Sequence, residues 1–237
     1  MKARPQNDPE LVRSEYADES RFLARFSIWA NREPNPPDVA FDEVVALRPQ
    51  RVLEVGCGTG GFAARLVGAG LDVVAIDQSA RMVELTRRLG VQAEVGDVQD
   101  LPFDYGEFDV AVANFMLYHV PDLDRGLAEL ARVARALVAT TNGRAHMQEM
   151  WQLVGRDRWT ETADIFMVEN GAGYLTQYFD SVRTIDLPAA IEMTADDMRH
   201  YVGNSVAHRH LADRVADFEG TRKVTASTAV FVASHAA

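Results

Sequence analysis

Arg51-Val-Leu-Glu-Val-Gly-Cys-Gly-Thr-Gly-Gly61 begins as a short apolar run and dissolves into glycine. Val52, Leu53 and Val55 spell a buried strand. Glycines at 56, 58, 60 and 61 then precede Phe62-Ala-Ala-Arg-Leu-Val67, whose apolar residues recur at helical spacing. The pattern is a strand, a tight turn and a helix N-terminus. Glycine suits such a turn because it reaches backbone angles that a side chain would block, and because a ligand can lie against a backbone that carries no Cβ. The occupant implied is a nucleotide-like cofactor.

The remaining composition fits one globular unit. At 237 residues the chain can build a single substantial core, so residues 1–237 are expected to form one domain. Within it, 1–50 read as an N-terminal helical appendage, 51–142 as the cofactor-binding core and 143–237 as a C-terminal half with helical insertions. Hydrophobic residues make up 47% and charged residues 25%, which excludes disorder as the default. The net charge of -11 repels polyanions, so neither nucleic acid nor an anionic membrane is an expected partner. Cys57 is the only cysteine and has no partner for a disulfide; it reads as a small buried residue of the turn. No apolar run approaches ~18 residues, and Met1 to Glu15 lack the apolar stretch of a signal peptide. A cytoplasmic enzyme or binding protein is the expected class, with no metal centre.

Outward from the turn, strands and helices alternate. Leu71 to Ile76 spell a second strand ending in Asp77, Ser79 caps a helix to about Leu89, and Val91 to Val95 spell a third strand before Gly96-Asp97. Phe108 to Ala113 follow as a fourth strand, Leu123 to Ala134 as a helix and Ala136 to Thr141 as a fifth strand. The expected fold is α/β, a Rossmann-like, doubly wound and mostly parallel sheet. On the N-terminal side, Glu10 to Ala30 read as one helix, stopped by the prolines between Asn31 and Pro37, and Val39 to Leu47 as a shorter helix. On the C-terminal side, residues 144–180 read as mainly helical with a break at Gly171-Ala-Gly173, followed by a sixth strand at Ser181 to Leu187. Residues 194–219 read as helical again and Thr225 to Ala233 as the last strand. Ligands of open α/β sheets lie outside the carboxyl ends of the strands, so the N-terminal helix and the insertions after strands five and six are the segments free to form a lid.

The glycine turn alone fits two cofactor families, since positions 56, 58 and 61 also satisfy the G-x-G-x-x-G of dinucleotide-binding proteins. Taken with three later segments, Val52-Leu-Glu-Val-Gly-Cys-Gly-Thr-Gly60 resembles the cofactor loop of the class I S-adenosylmethionine-dependent methyltransferases. Those segments are Ala75-Ile-Asp-Gln-Ser79, Gly96-Asp-Val-Gln-Asp-Leu-Pro-Phe103 and Phe108-Asp-Val-Ala-Val-Ala-Asn-Phe-Met-Leu-Tyr-His-Val-Pro-Asp122. Val168-Glu-Asn-Gly171 and Tyr178-Phe-Asp-Ser-Val182 extend the likeness more weakly toward broadly assigned members acting on small molecules. The resemblance implies a seven-stranded sheet with an antiparallel last strand and S-adenosyl-L-methionine as cofactor. By the same resemblance, Glu54, Gly56, Cys57, Gly58 and Gly60 approach its methionine part. Asp77, beside Gln78, takes the two ribose hydroxyls, a task that suits a carboxylate because both oxygens accept. Asp97 takes the adenine amino group, the amide of Val98 faces a ring nitrogen, and Asn114 and Phe115, with Met116, lie near the sulfonium. Tyr16 and Arg21 resemble N-terminal lid residues that approach the cofactor carboxylate.

The reaction implied is in-line displacement at a sulfonium methyl by a small-molecule acceptor. Its leaving group is neutral, so holding the nucleophile ~3 Å from the methyl carbon can supply ~7–11 kcal/mol of the acceleration. An oxygen nucleophile also calls for a base. His119 is the foremost candidate, with His146 and His200 in the insertions behind it. A nicotinamide-dependent oxidoreductase and a non-catalytic cofactor-binding protein remain the alternatives.

Overall fold

The structure, a computed structural model, describes residues 7–29, 32–156 and 165–236. Its main sheet has seven strands: β1 (Arg51–Val55), β2 (Asp72–Asp77), β3 (Gln92–Val95), β4 (Phe108–Asn114), β5 (Ala134–Asn142), β6 (Ser181–Asp186) and β9 (Thr228–Ser234). They lie in the order β3-β2-β1-β4-β5-β9-β6. The first five run parallel, and β9 is antiparallel to both β5 and β6 between which it lies. The expected seven-stranded, doubly wound sheet with its antiparallel last strand is therefore present.

Burial on both faces explains the largely apolar runs of β1, β2, β4 and β5, whereas the edge strand β3 is mostly exposed. Along β1 the side chains alternate: Val52 joins the cluster under α3 (Pro36–Ala46), α4 (Gly61–Gly68) and α5 (Ala80–Arg88), whereas Leu53 and Val55 face the opposite cluster. That second cluster is built by α6 (Leu123–Val133) and α8 (Val168–Leu175). Local chemistry sets the helix starts. Ser79 accepts from the Met82 amide to open α5, and Asp122 accepts from the Arg125 amide at 3.1 Å to open α6.

Four expectations are corrected. Glu10 to Ala30 are not one helix: α1 (Pro9–Glu15) ends at Tyr16, and Asp18 caps a separate α2 (Glu19–Ser27) by accepting from the Ser20 amide at 2.9 Å. Gly171 to Gly173 do not break the chain but lie inside α8. A Cβ on Gly171 would come within 2.8 Å of the Phe231 ring of β9, so the glycine is the notch through which the helix packs on the sheet. Of the helical insertion at 144–180, the described part holds α8 and the short α7 (Gln148–Leu153), while 157–164 lie outside the described residues. Finally, Thr225 to Ala233 are two strands. β8 (Arg222–Ala226) pairs with β7 (Ala189–Met193) in a separate two-stranded sheet, and β9 begins at Thr228. Residues 194–219 hold α9 (Ala195–Gly203) and a 3-10 turn at Arg209–Arg214.

The insertions leave from the carboxyl edge of the sheet. α7 follows β5, and β7, α9 and β8 all lie between the end of β6 and the start of β9, where Thr228 pairs in register with Asn142. They share a cluster of their own, including Met147, Met150, Trp151, Met193, Met198 and Val224, against which Ile28 and Trp29 from the N-terminal segment pack. α2 packs on α9. The helical cap at the carboxyl edge is thus held by apolar burial independent of the two sheet faces.

Candidate functional site

At the carboxyl ends of β1, β2 and β4 the chain builds a cradle. The Gly56 and Cys57 amides both donate to the Ile76 carbonyl, at 2.8 and 3.1 Å, folding the turn back on β2. Gly56, Gly58 and Gly60 all have positive φ, at 68°, 54° and 80°. Their steric reasons differ. A Cβ on Gly56 would stand 2.8 Å from Cβ of Met116, and one on Gly60 would stand 2.7 Å from Cα of Thr86 in α5, whereas nothing lies within 4 Å of a Cβ on Gly61. In the dinucleotide fingerprint the third glycine serves close packing of helix and strand. Here that position, Gly61, has open space. Cys57 is buried with its thiol 3.4 Å from the Thr86 hydroxyl, and burial pushes its pKa up to about 12, so it is no nucleophile.

Three acidic residues line the cradle. Glu54, 2% exposed, has one carboxyl oxygen, Oε2, without any hydrogen-bond partner. Burial, and after it the neighbouring Asp77, push its pKa up to about 8, against the opposing pull of the Ala63 amide in the first turn of α4. Asp77 accepts from the Gly58 amide at 2.9 Å through one oxygen and from the Ser79 amide at 2.8 Å through the other. Each oxygen keeps a second lone pair for a further donor. Burial raises its pKa. Gln78 beside it is exposed. Asp97 follows β3, half-buried, and accepts from the Gln99 amide at 2.9 Å and from the Gln99 side-chain amide at 3.0 Å. Val98 turns its side chain into the core against Gly126 of α6.

β4 contributes the opposite wall. Asn114 accepts from the Thr140 hydroxyl at 2.7 Å, which fixes its amide and leaves Nδ2 buried without an acceptor. Phe115 adopts φ 54°, strained for a residue with a Cβ, and is held there by its amide donating to the Thr140 carbonyl at 2.9 Å. This corner swings the chain into the 3-10 turn Leu117–His119. His119 Nε2 lies 2.9 Å from the Tyr16 hydroxyl, with the two rings edge to face. Burial pushes the Tyr16 phenol up to about 12, so it stays protonated at neutral pH. The Tyr16 carbonyl accepts from the Ser79 hydroxyl at 3.2 Å, so one residue bridges the ends of β2 and β4.

The other candidates are dispersed. Arg21 lies on α2 near Asp18, whose charge it offsets, and makes neither of the hydrogen bonds that join Tyr16 to the cradle. His146 is buried in the cap, stacked on Trp29 at 5.0 Å, and His200 is exposed on α9. Sequence reasoning passed over Thr140, which orients Asn114 and Phe115, and Ser79, which had been read only as a helix cap. Two threonines closing an otherwise apolar strand at 140 and 141 were the available signal. Chemically, three carboxyl groups around a glycine turn make a site for a ligand that carries positive charge and several hydrogen-bond donors.

Comparison with known proteins finds relatives of the segment that builds the cradle. Residues 53–137 match the family model described as a methyltransferase domain. An uncharacterized methyltransferase of Mycobacterium tuberculosis is 35% identical over 145 residues, covering 57% of this chain and 59% of that protein. A demethylmenaquinone methyltransferase of Renibacterium salmoninarum is 40% identical over 96 residues, 40% of each chain. This chain thus spans about three fifths of the length of the first of these relatives. A crystal structure from Thermotoga maritima, described as a SAM-dependent methyltransferase and possible histamine N-methyltransferase, superposes with a TM-score of 0.61 at 18% identity. It covers 92% of this chain and 96% of its own. The strand order and the glycine turn agree with that likeness: residues 53–137 match a methyltransferase domain, and the sheet has the fold of the SAM-dependent methyltransferase from Thermotoga maritima.

Proposed function

We propose that this protein transfers a methyl group from S-adenosylmethionine to a small-molecule acceptor. The observation that carries the reading is the buried Glu54 oxygen left without a partner at the head of α4. Such an atom costs ~1–3 kcal/mol unless a donor reaches it, and the ammonium of a methionine moiety is such a donor. Asp77 and Asp97 retain acceptor sites that suit the ribose hydroxyls and the adenine amine. When bound, the cofactor supplies an electrophilic methyl on sulfur. The chain's own residues hold and screen it: Asn114 at the end of β4, Tyr16 across the mouth, and the cap over the carboxyl edge. The cap supports a small acceptor, and the net charge of -11 argues against nucleic acid. No described helix is long and apolar enough to cross a membrane.

Calorimetry with S-adenosylmethionine and S-adenosylhomocysteine tests the reading, and a folded protein that binds neither overturns it. Asp77→Ala is expected to weaken S-adenosylhomocysteine binding by more than about 1 kcal/mol, because it removes both acceptors at once. Unchanged affinity in the same titration takes Asp77 out of the ribose site.

His119 is the base of this proposal. The Tyr16 hydroxyl 2.9 Å from its Nε2 fixes the ring at the β4 end of the site; in the tautomer whose Nε2–H donates to the phenol oxygen, the base is Nδ1. Positioned general bases contribute ~10²–10⁴-fold. His119→Ala should therefore lower kcat for an oxygen acceptor at least ~100-fold, with S-adenosylhomocysteine affinity within threefold of the parent. Steady-state rates with labelled cofactor decide it, and an unchanged kcat removes the base.

A further inference from the structure

Arg32 lies between α2 and α3, 5% exposed. Its Nη2 donates to the Leu187 carbonyl at 2.6 Å, the Ala226 carbonyl at 3.3 Å and the Thr228 hydroxyl at 2.6 Å. The Trp29 ring stands 6.0 Å from its guanidinium carbon. These acceptors mark the carboxyl edge of the sheet: Leu187 follows β6, and Thr228 opens β9 opposite Asn142 of β5. All of them are neutral. Among the described residues no carboxylate pairs with Arg32, and its Nε is buried without an acceptor. Burial lowers its pKa to about 10, far above neutrality, so the charge stays.

A structural staple explains part of this. Three neutral oxygens on one nitrogen fasten the N-terminal segment to the ends of β6 and β9, but an uncharged amide could do the same. A guanidinium carries five N–H groups in a planar fork, and burying its charge without an anion costs several kcal/mol. What the staple does not use is the charge and the Nε edge of the fork, which is the side that matches a carboxylate or phosphate.

The placement gives that edge a purpose. From Asn114, the register passes to Thr140 of β5 and then across to β9, whose first residue is Thr228. Two strand spacings of ~4.8 Å and a two-residue offset of ~7 Å put these backbone positions ~12 Å apart on one edge. Each is close to a buried donor nitrogen without an acceptor, Nδ2 of Asn114 and Nε of Arg32. That span is the length of a small organic acceptor. On the methyltransferase reading, whose transferable methyl lies by the end of β4, we propose that Arg32 selects the acceptor by a carboxylate or phosphate group, which would pair with the buried, unpartnered Nε edge of its guanidinium while the nucleophilic atom reaches back toward β4. In a chain of net charge -11, this makes anion recognition a local property of the acceptor end of the site.

The test uses the full chain loaded with S-adenosylhomocysteine and follows thermal melting with acetate, benzoate, inorganic phosphate and the neutral control benzamide. At concentrations tenfold above its dissociation constant, a matching anion should raise Tm by roughly 3–6 °C, and benzamide should not. Carboxylate and phosphate arms separate the two kinds of anion. Arg32→Gln, which can keep the neutral staple, should abolish the anion shift while leaving S-adenosylhomocysteine affinity within threefold. If no anion shifts the wild-type protein, if benzamide shifts it equally, or if Arg32→Gln retains the selectivity, the proposal is overturned. The wild-type comparison alone is decisive should the variant not fold. Failure of the wild-type chain to bind S-adenosylhomocysteine would instead overturn the methyltransferase reading beneath it.

Discussion

Glu54→Gln is expected to raise the melting temperature of the cofactor-free protein at pH 8, leave it nearly unchanged at pH 4.5, and weaken S-adenosylhomocysteine binding at least tenfold. The three outcomes share one cause. In the folded, ligand-free chain the Glu54 carboxyl is held at about 8 against an ordinary 4.5, first by burial and then by Asp77. A raised carboxyl pKa means that the folded state retains a proton that the unfolded state releases. Stability is therefore intact below about pH 4.5 and falls, by about 1.4 kcal/mol per pH unit, as pH climbs toward 8. The raised pKa of Asp77 acts in the same sense. Glutamine cannot ionise, so the variant escapes the decline and gains on the order of 4 kcal/mol at pH 8. It loses the anion that a bound ammonium would need, hence the weaker binding. Melting curves from pH 4.5 to 8.5 are the measurement, and parallel profiles for parent and variant would show that Glu54 ionises freely.

Gly60→Ala should destabilise the protein by about 3 kcal/mol, while Gly61→Ala, one residue on, should be neutral or slightly stabilising. At Gly60 two costs add. A φ of 80° with a Cβ costs ~1–2 kcal/mol, and the methyl would stand 2.7 Å from backbone of α5, where overpacking costs ~1–3 kcal/mol more. At Gly61 the new methyl meets nothing within 4 Å and lies at the first position of α4, where alanine favours the helix. Urea unfolding of the pair separates conformational need from mere glycine content, and equal effects would refute the assignment. The consequence reaches the cradle, since Gly60 fixes how closely α4 and α5 approach beside Glu54 and Asp77.

Strands β1, β2, β4 and β5 were legible because they are buried on both faces, and the edge strand β3 because it closes on Gly96-Asp97 as β2 closes on Asp77. Nothing comparable marks β7 and β8. Each buries only alternate residues, Ile191 and Met193 on one strand and Val224 and Ala226 on the other, and such short half-buried runs merge with their neighbours. The break at Tyr16 was hidden by apolar spacing that continues on both sides of it, though Asp18 was present as the cap. At the site, residues contributed by strand ends could be placed in sequence because topology delivers them together. Contacts that span the chain could not: Tyr16 and His119 are 103 residues apart, and Arg32 and Thr228 are 196 apart. A lone arginine beside a proline-rich stretch carries no local sign of the strands it will fasten.

The turn after α1 has two attachments of different kinds on adjacent residues. Tyr16 is bound to the cradle through Ser79 and His119. Glu15, buried, pairs with Arg25 at 2.7 Å and accepts from the Ser205 hydroxyl at 2.8 Å and the Ala207 amide at 3.2 Å, while Arg25 donates to the Asn204 carbonyl. One peptide unit is therefore tied at once to the sheet edge and to the α9 region. With each hydrogen bond worth ~1 kcal/mol and the charged ones more, the two attachments make this peptide unit a joint between the N-terminal segment, the sheet edge and the α9 region.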